Sequence, residues 1–219
     1  MAVQHPIPNR EIEIKLRISD LAALLRELHR LRVKASPTVL ERNTLYDTPS
    51  HDFSRLGAIL RVRTELPAAA PGSIRRVQRA GKPPHVGLLT YKGLLPKRAS
   101  LNPHYKIREE IEFRLPNSRR FERLLLRLGL KPWFRYEKFR TTYRLPRLPG
   151  LHLDLDETPV GVFLELDGSK QAITKAARLL GFGPADYITV SYLEIYLADC
   201  RRKRRKPGDM LFVSKKSSR

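Results

Sequence analysis

Several short stretches of this chain alternate charged residues of both signs with aliphatic ones. The first is Glu11-Ile12-Glu13-Ile14-Lys15-Leu16-Arg17-Ile18. A period of two is that of a β-strand with two unlike faces. Here Ile12, Ile14, Leu16 and Ile18 form one face, and Glu11, Glu13, Lys15 and Arg17 the other. At least five predicted strands repeat the arrangement. Their cations are Lys15, Arg17, Arg61, Arg63, Lys92, Lys106, Arg108, Lys138 and Arg140. Their anions are Glu11, Glu13, Glu110, Glu112, Asp154, Asp156, Glu165 and Asp167. Arginine and lysine grip phosphate oxygens, arginine often in bidentate fashion. Clustered carboxylates hold Mg²⁺ or Mn²⁺, which in turn bridge phosphate oxygens. Together the two sets describe a site for a metal and a polyphosphate. A protein that only bound nucleic acid would need the cations but not the carboxylate pairs.

The elements that must position these side chains are strands interrupted by a few amphipathic helices. Ser19 is a candidate cap for a helix with Leu21, Leu24, Leu25, Leu28 and Leu31 on one face. Strands are predicted over 38–46, 58–65, 86–92, 104–115, 133–145, 151–157 and 162–167. Helices are predicted over 51–56, from Asn117 or Ser118 to Gly129, over 169–180 and over 187–200. Residues 66–84, with Arg75, Arg76, Arg79 and Lys82, read as a long basic loop and 93–103 as another. Amphipathic helices need an apolar surface to cover, so they belong against the aliphatic strand faces. The charged faces then turn toward one another, as inside a closed barrel. The expected fold is α+β: a closed antiparallel β-barrel with a charged interior and helices packed outside. Buried charge is costly unless paired or bound to an ion, so such an interior implies a ligand.

The chain has 219 residues, 41% of them hydrophobic, enough for one cored domain. Lys+Arg number 43 against 22 Asp+Glu, a net charge of +21, which favours polyanionic partners. Nine of the Lys and Arg and one Asp follow Cys200, so +8 lies in that stretch and +13 on the rest. The expected organisation is an extension over 1–9, a domain over 10–199 and a basic tail over 200–219, the tail being a candidate contact for polyphosphate or RNA. Cys200 is the single cysteine, which excludes an intramolecular disulfide and argues against a cysteine zinc site. The six histidines show no HxxxH pairing. The first ten residues contain no signal-peptide core, and no apolar run approaches transmembrane length. The expectation is a cytoplasmic protein with no membrane partner.

Glu11-x-Glu13-x-Lys15 resembles the ExExK signature of the CYTH superfamily, the triphosphate tunnel metalloenzymes, whose name joins class IV adenylyl cyclases and thiamine triphosphatases. Six further segments match in family order: Tyr46-Asp47-Thr48, Leu60-Arg61-Val62-Arg63, Thr90-Tyr91-Lys92-Gly93, Arg108-Glu109-Glu110-Ile111-Glu112, Lys138-x-Arg140-x-x-Tyr143, and Asp156-Glu157-Thr158-Pro159-x-Gly161-x-Phe163-x-Glu165-x-Asp167. A lone ExExK arises on any amphipathic strand. Seven ordered segments from about residue 10 to 197 are specific.

The resemblance implies an eight-stranded antiparallel tunnel that binds a triphosphate-containing small molecule with Mg²⁺ or Mn²⁺. A homodimer is also a family-level expectation. Carried over by motif, Glu11, Glu13, Asp156, Glu165 and Asp167 form the metal set. Lys15, Arg61, Arg63, Lys92, Arg108, Lys138 and Arg140 hold phosphates, and Glu110 and Glu112 orient these cations or a metal-bound water. Glu11, Glu13, Lys15, Lys92, Glu110 and Glu112 make up the expected catalytic group. Two positions depart from the pattern. The last acidic pair, usually Glu-x-Glu, is Glu165-x-Asp167, and Leu45 stands where animal thiamine triphosphatases have an aromatic residue before Tyr-Asp-Thr. The expected activity is metal-dependent hydrolysis of inorganic tripolyphosphate or a nucleoside triphosphate. Cyclisation of ATP to cyclic AMP and pyrophosphate uses the same ligands. A non-catalytic polyphosphate- or RNA-binding module is the third reading.

Overall fold

The computed structural model describes residues 10–69, 71, 86–94 and 104–212. The extension over 1–9, most of the two predicted loops, including Arg75, Arg76, Arg79 and Lys82, and the last seven residues lie outside them.

The strands are β1 (Arg10–Ile18), β2 (Lys34–Ala35), β3 (Val39–Asp47), β4 (Ile59–Pro67), β5 (Gly87–Leu94), β6 (Lys106–Leu115), β7 (Lys131–Arg144), β8 (His152–Thr158) and β9 (Gly161–Asp167). The helices are α1 (Leu21–Arg30), α2 (Asp52–Arg55), α3 (Ser118–Arg127), α4 (Lys170–Leu179) and α5 (Tyr192–Arg202). Every pairing is antiparallel. The order β7-β3-β4-β5-β6-β1-β9-β8 closes through a β7–β8 ladder into an eight-stranded barrel. The ninth strand, the short β2, was not anticipated; it adds to the outside of β7 by pairing Lys34 with Arg144 and Ala35 with Tyr143.

Side-chain alternation places the aliphatic faces outward. Ile14, Leu16, Leu153, Leu155, Leu164 and Leu166 form a buried sheet surface under Leu24 and Leu28 of α1 and Ile173, Ala176 and Ala177 of α4. At about 25 cal/mol per Å² of apolar surface removed from water, this packing is the main stabilising contribution on that side. Local capping sets where the helices begin. Asp20, rather than Ser19, accepts the Ala23 N–H at 2.9 Å, and Asn117 accepts that of Arg120. Ser191 and Glu194 form a reciprocal capping box at α5. The β8–β9 turn needs Gly161, whose φ is +132° and where a Cβ would meet Arg17 Nη1 at 3.0 Å.

Three further features differ from the sequence reading. The last helix begins at Tyr192 rather than 187, because Ile188 is held by two backbone hydrogen bonds to Lys15, each 2.9 Å. The start of the basic tail is folded: α5 runs to Arg202, and Met210 is buried and bonded to the β7 backbone at Arg135 and Glu137. Finally, the barrel interior is not charged throughout. Leu45, Phe134, Tyr136 and Phe163 occupy inner-face positions at one end, where Tyr192, Ile195 and Tyr196 of α5 pack against them.

Candidate active site

The inner faces of the strands enclose a cavity of about 540 Å³. Every residue expected at the site lines it except Asp156. β1 and β9 are paired so that Glu13 faces Asp167 and Lys15 faces Glu165 across the ladder. That register joins the two distant acidic motifs. Arg17, on the same face of β1, lies at the strand end and is exposed, its guanidinium 4.6 Å from the Phe163 ring centroid.

One group of charges surrounds Glu11, Glu13 and Asp167. Lys92 Nζ donates to both Glu11 oxygens at 2.6 Å and lies 3.1 Å from Glu110. Lys106 Nζ donates to Glu13 Oε1 at 2.7 Å, and Lys15 Nζ lies 3.0 Å from both Glu13 and Glu165. Burial opposes ionisation of Glu13, but Lys106, Lys15 and Lys92 hold its pKa well below the usual carboxylate value. Burial and repulsion from Glu13 push Glu11 up. Burial, then Glu11 and Glu13, push Asp167 up to about 7. Burial, only partly offset by Glu13, brings Lys106 down to about 8.

A second group joins β7, β8 and β9. Arg140 donates from Nε to Asp156 Oδ1 at 2.7 Å and from Nη2 to Asp156 Oδ2 at 2.6 Å. It also pairs with Asp154 at 2.7 Å and with Glu165. Lys138 Nζ and Tyr192 Oη reach the same Asp156 oxygen at 2.8 and 2.7 Å. Asp156 is completely buried and does not line the cavity.

A third group consists of the arginines of β4 and β6. Arg61 donates to Thr90 at 3.0 Å and lies 3.7 Å from Glu112. Arg63 donates to Glu41 at 3.0 Å. The buried atoms Arg61 Nε and Arg108 Nη1 have no hydrogen-bond partner among the described residues, whereas Arg63 Nε lies 3.4 Å from Glu65. A buried guanidinium N–H without an acceptor carries its desolvation cost uncompensated.

Sequence reasoning missed Glu41 and Tyr192, and gave Lys106 only as one of the inward cations, without a role of its own. Glu41 is 1% exposed, and burial is outweighed by Lys138, Arg140, Arg63 and Arg61, which hold its pKa down. Its signal was alternation: it precedes the inward Asn43 and Leu45 by even steps. Tyr46 faces outward into the α3 cluster.

Among the described residues no three His, Cys, Asp or Glu side chains are arranged to hold a metal ion. The cause is visible: Lys92 and Lys106 stand against Glu11 and Glu13. The donor chemistry nevertheless fits a hard divalent cation. Glu11, Glu13 and Asp167 supply oxygen ligands only, and Asp167 has no ion pair among the described residues. Such repulsion is relieved by added positive charge.

Known proteins share this architecture. A Methanocaldococcus jannaschii protein with a provisional adenylate cyclase name is 25% identical over 170 residues, 78% of this chain and 83% of its own. A Vibrio parahaemolyticus structure, also provisionally named an adenylate cyclase, superposes with a TM-score of 0.65 at 19% identity, covering 86% of this chain and 98% of that one. HpAC1 from Hippeastrum, whose description pairs adenylyl cyclase with a dominant triphosphatase activity, has a TM-score of 0.54 at 16% identity, covering 86% and 96%. The CYTH domain family model matches residues 9–192, a span that begins just before the Glu11–Lys15 strand and takes in all eight barrel strands. With its tunnel, its paired acidic motifs and this match in agreement, the chain belongs to the CYTH family.

Proposed function

We propose that the protein is a divalent-metal-dependent triphosphatase that removes the terminal phosphoryl group of a triphosphate bound in the tunnel. The observation that carries this reading is the pair of buried guanidinium N–H groups left without acceptors on Arg61 and Arg108, both cavity-lining residues. Phosphate oxygens are the acceptors that suit them. Glu11, Glu13, Glu165 and Asp167 would hold Mg²⁺ or Mn²⁺. When bound, the ion neutralises phosphate oxygens and stabilises charge that develops during transfer.

The chain's own residues then position the reaction. Arg61, Arg63 and Arg108 bind non-bridging oxygens. Glu110 fixes the Lys92 head, and Glu13 fixes those of Lys15 and Lys106. Water attacks the terminal phosphorus in line, the bond to the bridging oxygen breaks, and orthophosphate and a diphosphate leave. Lys106 lines the cavity beside Glu13 and is a further cation within reach of a bound phosphate. Asp156 and Tyr192 stand behind Lys138 and Arg140 and keep those cations in place.

The test is product identification with tripolyphosphate, ATP and thiamine triphosphate, each with Mg²⁺ or Mn²⁺. Orthophosphate release is expected, and a Glu11→Gln, Glu13→Gln variant should lose turnover by about 10²-fold or more. Full activity in that variant would remove the metal assignment. Cyclic AMP with pyrophosphate would make the protein a cyclase. Tight metal-independent polyphosphate binding without turnover would make it a binding module.

A further inference from the structure

After α5 the chain doubles back. Arg204 takes the left-handed region, with φ at +52°, and the Arg205 N–H donates to Cys200 O at 3.0 Å. Residues 208–212 then meet β7. β8 pairs with β7 only from Phe139 to Arg144, which leaves the edge at Arg135–Glu137 free for them. The Met210 N–H donates to Arg135 O at 2.9 Å, and Met210 O accepts the Glu137 N–H at 3.0 Å. Asp209 accepts the Arg135 N–H at 2.8 Å, and the Phe212 ring lies 4.9 Å from that of Phe139. The same segment grips α5. The Gly208 N–H donates to Tyr196 Oη at 3.1 Å, Tyr196 Oη donates to Asp209 O at 3.3 Å, and Met210 is buried in one cluster with Tyr192, Tyr196 and Cys200.

At the other end of that helix, Tyr192 lines the cavity. Its ring centroid lies 5.2 Å from Lys15 Nζ and 5.1 Å from Lys138 Nζ, and its hydroxyl donates to Asp156 at 2.7 Å. An ammonium within about 6 Å of an aromatic face is attracted to it, more strongly when both are desolvated. Lys15 belongs to β1 and Lys138 to β7, so one ring from outside the barrel holds cations of two strands. We propose that residues 208–212 are a strap that serves the active centre: by fixing α5 on β7 they keep the Tyr192 ring against Lys15 and Lys138, and so set where those two ammonium groups meet phosphate. Tyr192 and Met210 are positioning residues, and the functional unit reaches past residue 199 to the strap. This rests on the triphosphate reading above and adds to it a dependence on the C-terminal segment.

Cys200, the chain's single cysteine, is completely buried in the same cluster, so its reaction with an aromatic disulfide reagent reports release of α5. Met210→Ala should speed that reaction by about tenfold or more. Diimidotriphosphate, the nitrogen-bridged analogue of tripolyphosphate, with Mg²⁺ should slow it by about tenfold in the unaltered protein and by less than about twofold in Tyr192→Leu, because ligand and strap are linked through that ring. In steady-state assays with tripolyphosphate or ATP, whichever turns over, Tyr192→Leu and Met210→Ala should each raise KM by roughly two- to thirtyfold. Tyr192→Phe keeps the ring and should stay within about threefold. The double variant Tyr192→Leu, Met210→Ala should have the KM of Tyr192→Leu alone. Lost stability by itself lowers the active fraction, hence the apparent kcat, and leaves KM unchanged. Phe212→Ala, at the half-buried end of the strap, serves if Met210→Ala does not fold. Additive KM changes in the double variant, equal losses in Tyr192→Phe and Tyr192→Leu, or equal slowing of the Cys200 reaction by the analogue with and without the ring would overturn the proposal and leave the triphosphatase reading standing. Absence of analogue binding and of turnover with either triphosphate would overturn both.

Discussion

The tunnel holds two charge clusters that differ in one respect: one is closed on itself and the other is not. Around Arg140, the carboxylates of Asp154, Asp156 and Glu165 and the Lys138 and Tyr192 heads satisfy one another. Around β1, β4 and β6, Asp167 has no ion pair among the described residues, and Arg61 and Arg108 carry buried N–H groups without acceptors. Both clusters line or underlie the same cavity and are built from the same residue types. Buried ion pairs with complete hydrogen bonding can roughly offset their desolvation, and incomplete ones cannot. The first cluster is therefore largely satisfied without a ligand, and it meets the second where Glu165 pairs with Lys15. The open one keeps a deficit that a bound metal and polyanion would remove.

The largest effect should come from opening the closed cluster. Arg140→Met leaves three acidic side chains without their shared partner, a loss of about 3–5 kcal/mol. The melting temperature should fall by roughly 10 °C or more. Arg108→Met, by contrast, removes no ion pair formed among the described residues. Its kcat/KM for a triphosphate should drop by about 10²–10³-fold, with the melting temperature within about 2 °C of the unaltered protein. Comparable destabilisation by both variants would erase the distinction between the clusters.

How much of this could be read beforehand follows from which constraints are local. A period of two is local, so the inward charges of Glu11–Lys15, Lys138–Arg140 and Glu165–Asp167 were legible from the sequence. So was the barrel, because the helices required the opposite faces. Asp154 and Asp156 share one period as well, yet only Asp154 lines the cavity, while Asp156 is taken up by Arg140, Lys138 and Tyr192. Tyr192 enters from a helix more than twenty residues beyond its nearest motif, and alternation carries no information about it. The aromatic end was hidden for a related reason. Leu45, Phe134, Tyr136 and Phe163 sit at inner-face positions, but their burial comes from α5, a tertiary contact. Tyr46-Asp47-Thr48 matched the family pattern, and its Asp47 proves to hold a helix start rather than a ligand.

Asp47 extends the comparison to a closed carboxylate outside the tunnel. It accepts backbone N–H bonds from Thr48, Phe53 and Ser54 at 2.8, 2.9 and 3.0 Å. Burial opposes its charge, but these bonds keep its pKa below the usual aspartate value. A lowered folded-state pKa gives stability that is complete above the unfolded value, near 4, and is lost as pH falls through the folded one. Asp47→Asn should cost about 1–2 kcal/mol in denaturant titrations at pH 7, and the difference from the unaltered protein should shrink below about pH 4. A gap independent of pH would mean that geometry alone, not the charge, holds α2.

The smallest effect on the fold should come from the open cluster's unpaired acid. Asp167→Asn removes a charge that burial and the neighbouring Glu11 and Glu13 already disfavour. In chelator the variant should melt within about 2 °C of the unaltered protein or above it, because no hydrogen bond to a cation is lost. The Mg²⁺ or Mn²⁺ concentration giving half-maximal turnover should nevertheless rise roughly tenfold or more. These opposite signs follow from one cause: repulsion among Glu11, Glu13 and Asp167 opposes folding without metal and favours binding of a cation. If Asp167→Asn destabilised the chelated protein while leaving metal dependence unchanged, the carboxylate would be a structural partner, and the open cluster would lose its anionic half.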